Sequence, residues 1–252
     1  MNKGITIFLL LLLCCRNTDN RETIDTVDQD LSDGHMDAIT EVALDSIYNH
    51  AYAVLHGDVE DPDYESVKAR LEICANAQDA RCATLLGYHL IKGFKLKRDV
   101  QSGVRYLNEA ARLNNVEAML YLSDYYYESG RVDSSLVLLE KAHENESAEA
   151  TYVLSEIYLK GINVRLGRPE LKYSGVVSAE KGIMYLQSAA EKSLEAKFSL
   201  ANYYLKGIDD QLVRDTANAA ELLKEVLADE ALDSIPGFRD RVEMQLEEIS
   251  KF

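Results

Sequence analysis

The sequence predicts an all-α fold, an α-solenoid of antiparallel helix hairpins, and three observations carry that expectation. A frame of small and large residues recurs four times: Cys82…Leu86-Gly87…Leu90…Gly93, Ala118…Leu122-Ser123…Tyr126, Ala150…Leu154-Ser155…Tyr158…Gly161 and Ala196…Leu200-Ala201…Tyr204…Gly207. A small residue is followed at +4 by Leu, at +5 by another small residue and at +8 by Leu or Tyr, offsets that share one face of an α-helix. A second helix-spaced pattern follows the frame, as in Gly103…Tyr106-Leu107…Ala110-Ala111, Gly182…Tyr185-Leu186…Ala189-Ala190 and the bulkier Ala219…Leu222-Leu223…Val226-Leu227. Finally, 3 prolines and 13 glycines in 252 residues are too few turn formers for an all-β sandwich. An apolar content of 47% suffices for one large domain or two small ones.

The elements follow in order. Met1–Lys3 is a polar start with one positive charge, and Ile5–Leu13 is apolar apart from Thr6. Nine helical residues span about 13 Å against the ~30 Å of a bilayer core, so residues 1–15 fit a signal peptide and not a membrane span. Leu12-Leu13-Cys14-Cys15 resembles a bacterial lipobox, with Leu at −3 and Cys14 before the acceptor, although Leu13 at −2 departs from the usual pattern. That resemblance implies lipidation of Cys15 and an exported, membrane-anchored protein; the alternative is a plain cleaved signal and a soluble secreted or periplasmic one. Residues 16–35 are acidic and too poor in apolar side chains to fold alone, which makes them a tether with a reach of roughly 25 Å. Asp28, Asp30, Asp33 and Gly34 within it do not keep calcium-loop spacing.

Residues 36–230 are expected to form the solenoid. A degenerate hairpin over 36–81, broken by Gly57 and Asp61-Pro62, precedes units starting near 82, 118, 150 and 196, spaced by 36, 32 and 46 residues. Small residues in each frame admit a neighbouring helix, glycine at +11 supplies a left-handed C-terminal cap, and Asp99 and Asp215 stand as N-terminal caps. Residues 231–252 read as a capping helix that starts near Ser234-Ile235-Pro236, with Val242, Leu246 and Ile249 on its inner face.

These residues resemble Sel1-like repeats, relatives of the tetratricopeptide repeat, most closely in AEKGIMYLQSAAEKSLEAKFSLANYYLKG (179–207); the unit around Tyr126…Gly130 is spaced more like a tetratricopeptide. The resemblance covers roughly 40–230 and implies an adaptor or scaffold for proteins. Cys74 and Cys82 straddle the turn before the first regular unit. Similarity to the cysteine-rich, secreted branch of this family implies a disulfide between them, the alternative being two buried thiols.

Little else in the sequence points to chemistry. The five histidines lack the i, i+4 spacing of a helical zinc site, so no metal or other cofactor is expected. Ser178-Ala-Glu-Lys181 satisfies S-x-x-K, the motif of a β-lactamase-like hydrolase, but S-D-N and K-T-G are missing and Ser178 stands where a helix N-cap is needed. A net charge of −16 and a pI near 4.7 argue against nucleic acid as a ligand. The expected function is therefore non-enzymatic binding of another protein in the cell envelope, in one version as an immunity-type inhibitor of a toxin; the competing class is the hydrolase. Candidate partner-binding residues are Tyr121, Tyr125, Tyr127 and Tyr203, together with basic side chains in two turns, Lys92, Lys95, Lys97 and Arg98 in one and Arg165, Arg168 and Lys172 in the other. The second turn is lengthened by 10 residues relative to the first unit, an insertion that is expected to project without a structural role.

Overall fold

The computed structural model describes residues 41–57, 62–163, 166–173, 175–208 and 212–250. Cys15, the tether and Arg165 lie outside the described residues. The fold is an all-α solenoid of helix hairpins, and the chain divides into two compact units, one ending at Ala118 and the other beginning at Met119.

The first unit contains α1 (Glu41–His56), α2 (Tyr64–Asn76), α3 (Ala80–Lys92) and α4 (Val100–Arg112). Aspartates start three of them: Asp63, Asp79 and Asp99 accept from the backbone N–H groups of Ser66 at 3.0 Å, Cys82 at 3.1 Å and Ser102 at 3.1 Å. These bonds satisfy donors that a helix leaves open at its first turn. α3 ends on Gly93, whose φ of 71° is the left-handed cap that the frame requires, and its N–H donates to the His89 carbonyl. Tight packing of α3 on α4 depends on Gly87 and Gly103. A Cβ on Gly87 would sit 2.8 Å from the Gly103 carbonyl oxygen and 2.8 Å from Leu107 Cγ. The side chains that fill this crossing, Leu86, Leu90, Leu107 and Ala110, are buried.

Cys74 near the end of α2 and Cys82 in the first turn of α3 are both fully buried and joined as a disulfide, with 5.9 Å between their Cα atoms. Arg81 strengthens the same corner by bridging the α3 cap Asp79 to Asp45 of α1, the latter at 2.7 Å.

Among the described residues, His89, like Ser46 and Asn163, buries side-chain polar atoms that have no hydrogen-bond partner. His89 is 5% exposed, and neither ring nitrogen has a hydrogen-bond partner. Burial, with the neighbouring His56 and Lys95 adding to it, lowers its pKa from 6.5 to about 4. The folded state therefore holds His89 neutral, while the unfolded chain takes up a proton once the pH falls below 6.5. Stability should decline between pH 6.5 and pH 4, by up to about 3 kcal/mol, and change little more from this source below that range. Urea titrations at a series of pH values check this: His89→Leu should flatten the slope, and an unchanged slope would assign it to other groups.

The second unit contains α5 (Val116–Glu128) from Met119 onward, α6 (Val132–Glu144), α7 (Ala148–Lys160), α8 (Ala179–Ala190), α9 (Leu194–Lys206), α10 (Thr216–Ala228), a short 3-10 turn (Glu230–Ser234) and α11 (Phe238–Ile249). Ser147, Ser178, Ser193 and Asp215 cap α7, α8, α9 and α10. Leu186, Ala189 and Ala190 of α8 pack on Ala196 and Leu200 of α9; farther along, Ala201, Ala219, Leu223 and Val226 meet Phe238 and Val242 of α11. The small residues of the frame thus lie at helix contacts, where they permit close approach. Leu246 and Ile249 also pack against this cluster, and α11 starts at Phe238, two residues after Pro236. Asp229 caps the preceding 3-10 turn through the Ala231 N–H, and that turn buries Leu232.

Two expectations need correction here. Tyr127 does not line a groove: it is fully buried. Its hydroxyl meets the carbonyl oxygens of Arg168 at 3.0 Å and Leu171 at 2.7 Å and accepts from the Asn163 N–H at 3.2 Å. The long turn between α7 and α8 is consequently not a free projection. Tyr173 from that turn, 2% exposed, stacks on Tyr127 with 5.3 Å between ring centroids, and its hydroxyl lies 3.0 Å from Ser135 Oγ. Ser135 in turn meets Ser123 of α5 at 2.8 Å. The insertion is a packed part of the unit because its polar backbone finds partners in Tyr127 that solvent would otherwise supply.

Candidate functional site

The site forms where two successive first helices of the second unit, α7 and α9, present the same repeat positions. Counting from the small residue that opens each frame, offsets +2, +6 and +10 share one helix face. On α7 they are Tyr152, Glu156 and Lys160; on α9 they are Phe198, Asn202 and Lys206. Ser199 and Tyr203 border this stripe, and Gln245 of α11 closes one side of a cleft of about 460 Å³.

The polar groups in the cleft are arranged by one another. Tyr152 and Ser199 join their hydroxyls across the two helices at 2.8 Å. Glu156 is only 6% exposed and pairs with Lys160 one turn later, while the Lys160 ammonium also lies 5.8 Å from the centre of the Tyr203 ring. Burial works against the charge on Lys160, but the hydrogen bond and the charge of Glu156 outweigh it, so its pKa stands above the ordinary value. Burial raises the phenol pKa of Tyr203, with the Glu156 charge adding to it, and burial likewise raises that of Tyr152. Each of these raised values keeps Lys160 charged and Tyr203 and Tyr152 neutral at neutral pH. Lys206 is exposed at the rim, and Asn202 donates to the Phe198 carbonyl at 3.0 Å.

This chemistry suits recognition more than reaction. Ser199 has a phenol for its partner, and a phenol whose pKa is raised is a poor base at neutral pH. The Glu156 carboxylate is held by Lys160. Two ammonium groups, two amides and two aromatic rings remain to meet a partner. The other serine candidate is accounted for too. Ser178 Oγ accepts from the Lys181 backbone N–H at 3.3 Å, and the Lys181 ammonium turns away to lie 5.4 Å from the centre of the Tyr158 ring.

Of the candidate tyrosines, Tyr203 belongs to the cleft, Tyr121 and Tyr125 are half-buried on α5, and Tyr127 is core. Lys92, Lys95, Lys97 and Arg98 are exposed on the first unit. Arg168 and Lys172 are exposed on the second, where Arg168 pairs with Glu170. Glu156, Lys160, Tyr152, Ser199 and Gln245 were not singled out in the sequence. The +6 and +10 places of the frame carry the signal for two of them: Glu156 and Asn202 at +6 and Lys160 and Lys206 at +10 are polar at regular spacing beside a stripe of small residues and leucines.

The comparisons with known proteins agree with this register. The Sel1 repeat matches residues 80–115, 116–143, 148–194 and 194–225, each segment starting two residues before the small residue that opens the frame. A Sel1 repeat protein from Oxalobacter formigenes has a similar crystal structure, with 13% sequence identity, a TM-score of 0.60 and coverage of 90% of this chain and 94% of that one; at that identity the likeness is one of fold. An immunity protein from Pseudomonas aeruginosa aligns at 12% identity and a TM-score of 0.48, over 86% of this chain and 85% of its own. A protective antigen of uropathogenic Escherichia coli aligns at 21% identity and a TM-score of 0.42, over 82% of this chain and 48% of its own. No curated protein matches the chain in sequence. With the repeat spanning more than half of its residues in the register that the helices show, the chain belongs to the Sel1 repeat family.

Proposed function

We propose that this protein captures a protein partner on the first-helix face of its second unit, that it does so in the cell envelope as an exported lipoprotein anchored through Cys15, and that it serves as an immunity-type inhibitor of a toxin. Sel1 and tetratricopeptide repeats generally mediate protein–protein interactions and act as non-enzymatic scaffolds. The observation that carries the reading is the α7–α9 cleft, which gathers aromatic rings, amides and two ammonium groups at one place on an acidic body. Such a mixture of rigid rings and adaptable polar groups is typical of the residues that dominate protein interfaces. Tyr121, Tyr125, Arg168 and Lys172 extend the contact surface in this reading, with an acidic or amide-rich segment of the partner opposite the cleft.

The test is affinity capture from membranes of cells that make the lipidated protein beside a toxin encoded next to it. The toxin should co-elute. Asn202→Arg with Lys206→Glu should reduce its recovery at least roughly tenfold, as loss of an interface centre does, and leave the melting temperature unchanged. Cys15→Ala should move the protein to the soluble fraction. Recovery of the toxin at the native level with the double variant would remove the cleft from the interface, and failure of the native protein to retain it would remove the inhibitor role.

A further inference from the structure

The turn between α3 and α4 carries features that capture of a protein by the second unit does not use. Residues 92–98 read Lys-Gly-Phe-Lys-Leu-Lys-Arg, with four cations and no acid, in a chain that has 43 acidic side chains against 27 basic ones. Phe94 at its tip is 60% exposed. One exposed aromatic ring is ordinary on a protein surface; a ring held out by the backbone in the middle of four cations is a more specific arrangement.

The turn is built to present that ring. Gly93 and Lys95, on either side of Phe94, both have positive φ, 71° and 47°, so the chain bends sharply before and after the ring. Leu96, two residues on, is 3% exposed and anchors the opposite side in the core. The Lys95 ammonium reaches the Val54 carbonyl at the end of α1 at 3.4 Å, and Arg98 Nε donates to the Ile91 carbonyl at 3.2 Å. The Asp99 N–H closes the turn on the Leu90 carbonyl at 3.0 Å. Presentation of Phe94 therefore costs the turn little ordering on contact.

We infer that this turn docks on an anionic phospholipid surface, with the Phe94 ring entering the headgroup–acyl boundary and the surrounding lysine and arginine side chains meeting lipid phosphates. The charge pattern supports this occupant. A body with net charge −16 is repelled as a whole from an anionic bilayer, and a compact basic turn with an apolar tip lets one point of it approach. An aromatic ring flanked by cations suits that interface, where the ring is buried while the charges stay hydrated. The inference stands on the first unit alone and does not depend on the lipid anchor or on the cleft.

The chain has no tryptophan, so Phe94→Trp places a single fluorescent reporter at the tip. The full-length variant is mixed with phosphatidylcholine vesicles that contain or lack phosphatidylglycerol, with bromine-labelled acyl chains as quenchers. A blue shift and bromine quenching are expected with phosphatidylglycerol vesicles, with loss of both in high salt. Lys92→Glu with Lys97→Glu in the same background should lower the fraction of quenched tryptophan at least about 25-fold in apparent partitioning, taking roughly fivefold per surface cation. Circular dichroism of this charge-reversed variant should match the parent. An emission spectrum that ignores phosphatidylglycerol would overturn the inference, even if the N-terminal segment carries the protein onto the vesicle. A blue shift produced by an acidic polypeptide but not by vesicles would overturn it in favour of a protein ligand.

Discussion

Replacing Tyr127 with alanine should lower the stability of the second unit by about 3–5 kcal/mol, the range for loss of a large aromatic side chain from a core, or roughly 10 °C in melting temperature. The residue is fully buried, stacks on Tyr173 and holds three backbone groups of the α7–α8 turn through one hydroxyl. Tyr127→Phe separates the two contributions. It keeps the ring and leaves the Arg168 and Leu171 carbonyls and the Asn163 N–H without their shared partner, at a cost of about 1–3 kcal/mol. Its distinguishing effect should be local, with amide exchange accelerating at 163–173 before the rest of the unit responds. Exchange in the insertion that is indifferent to Tyr127→Phe would show that the turn is held by something else.

The second large effect is expected at the α2–α3 corner. Cys74→Ala with Cys82→Ala opens a short covalent loop, and loop entropy alone makes that worth about 2.5 kcal/mol. Both side chains are fully buried, and small residues in their place leave part of the volume empty, so a total near 3 kcal/mol is expected. The urea midpoint of the oxidised protein should fall on reduction to nearly the midpoint of the double variant. Identical midpoints with and without reductant would show that the bond adds nothing to the stability of the fold.

The sequence made the repeat legible because its signal is periodic. Small residues at fixed offsets, glycines with positive φ at +11 and aspartates before the first turn each have one physical cause, and each recurs in several units. The same periodicity could have placed Tyr127. It stands at +9, a place filled elsewhere by Ile91, Leu159 and Leu205, none of which is exposed. What holds the long turn was not legible, since Tyr127 reaches backbone groups some forty residues away that have no residue-type signature. The cleft was legible in part. Tyr203 was a candidate from its side chain alone, whereas Glu156 and Lys160 resemble an ordinary solvated i, i+4 pair until the structure shows the carboxylate almost fully covered.

The central claim, that the first-helix face around the α7–α9 cleft is the surface that meets a protein, is tested most directly by site-specific photo-crosslinking in cells. A benzophenone side chain is placed at Asn202 in the cleft or, in a second strain, at Met184, which is 56% exposed on the second helix α8. A discrete crosslinked product that contains the partner should form from position 202 and not from 184. A product from position 184 with none from 202 would place the partner on the second helices and contradict the account.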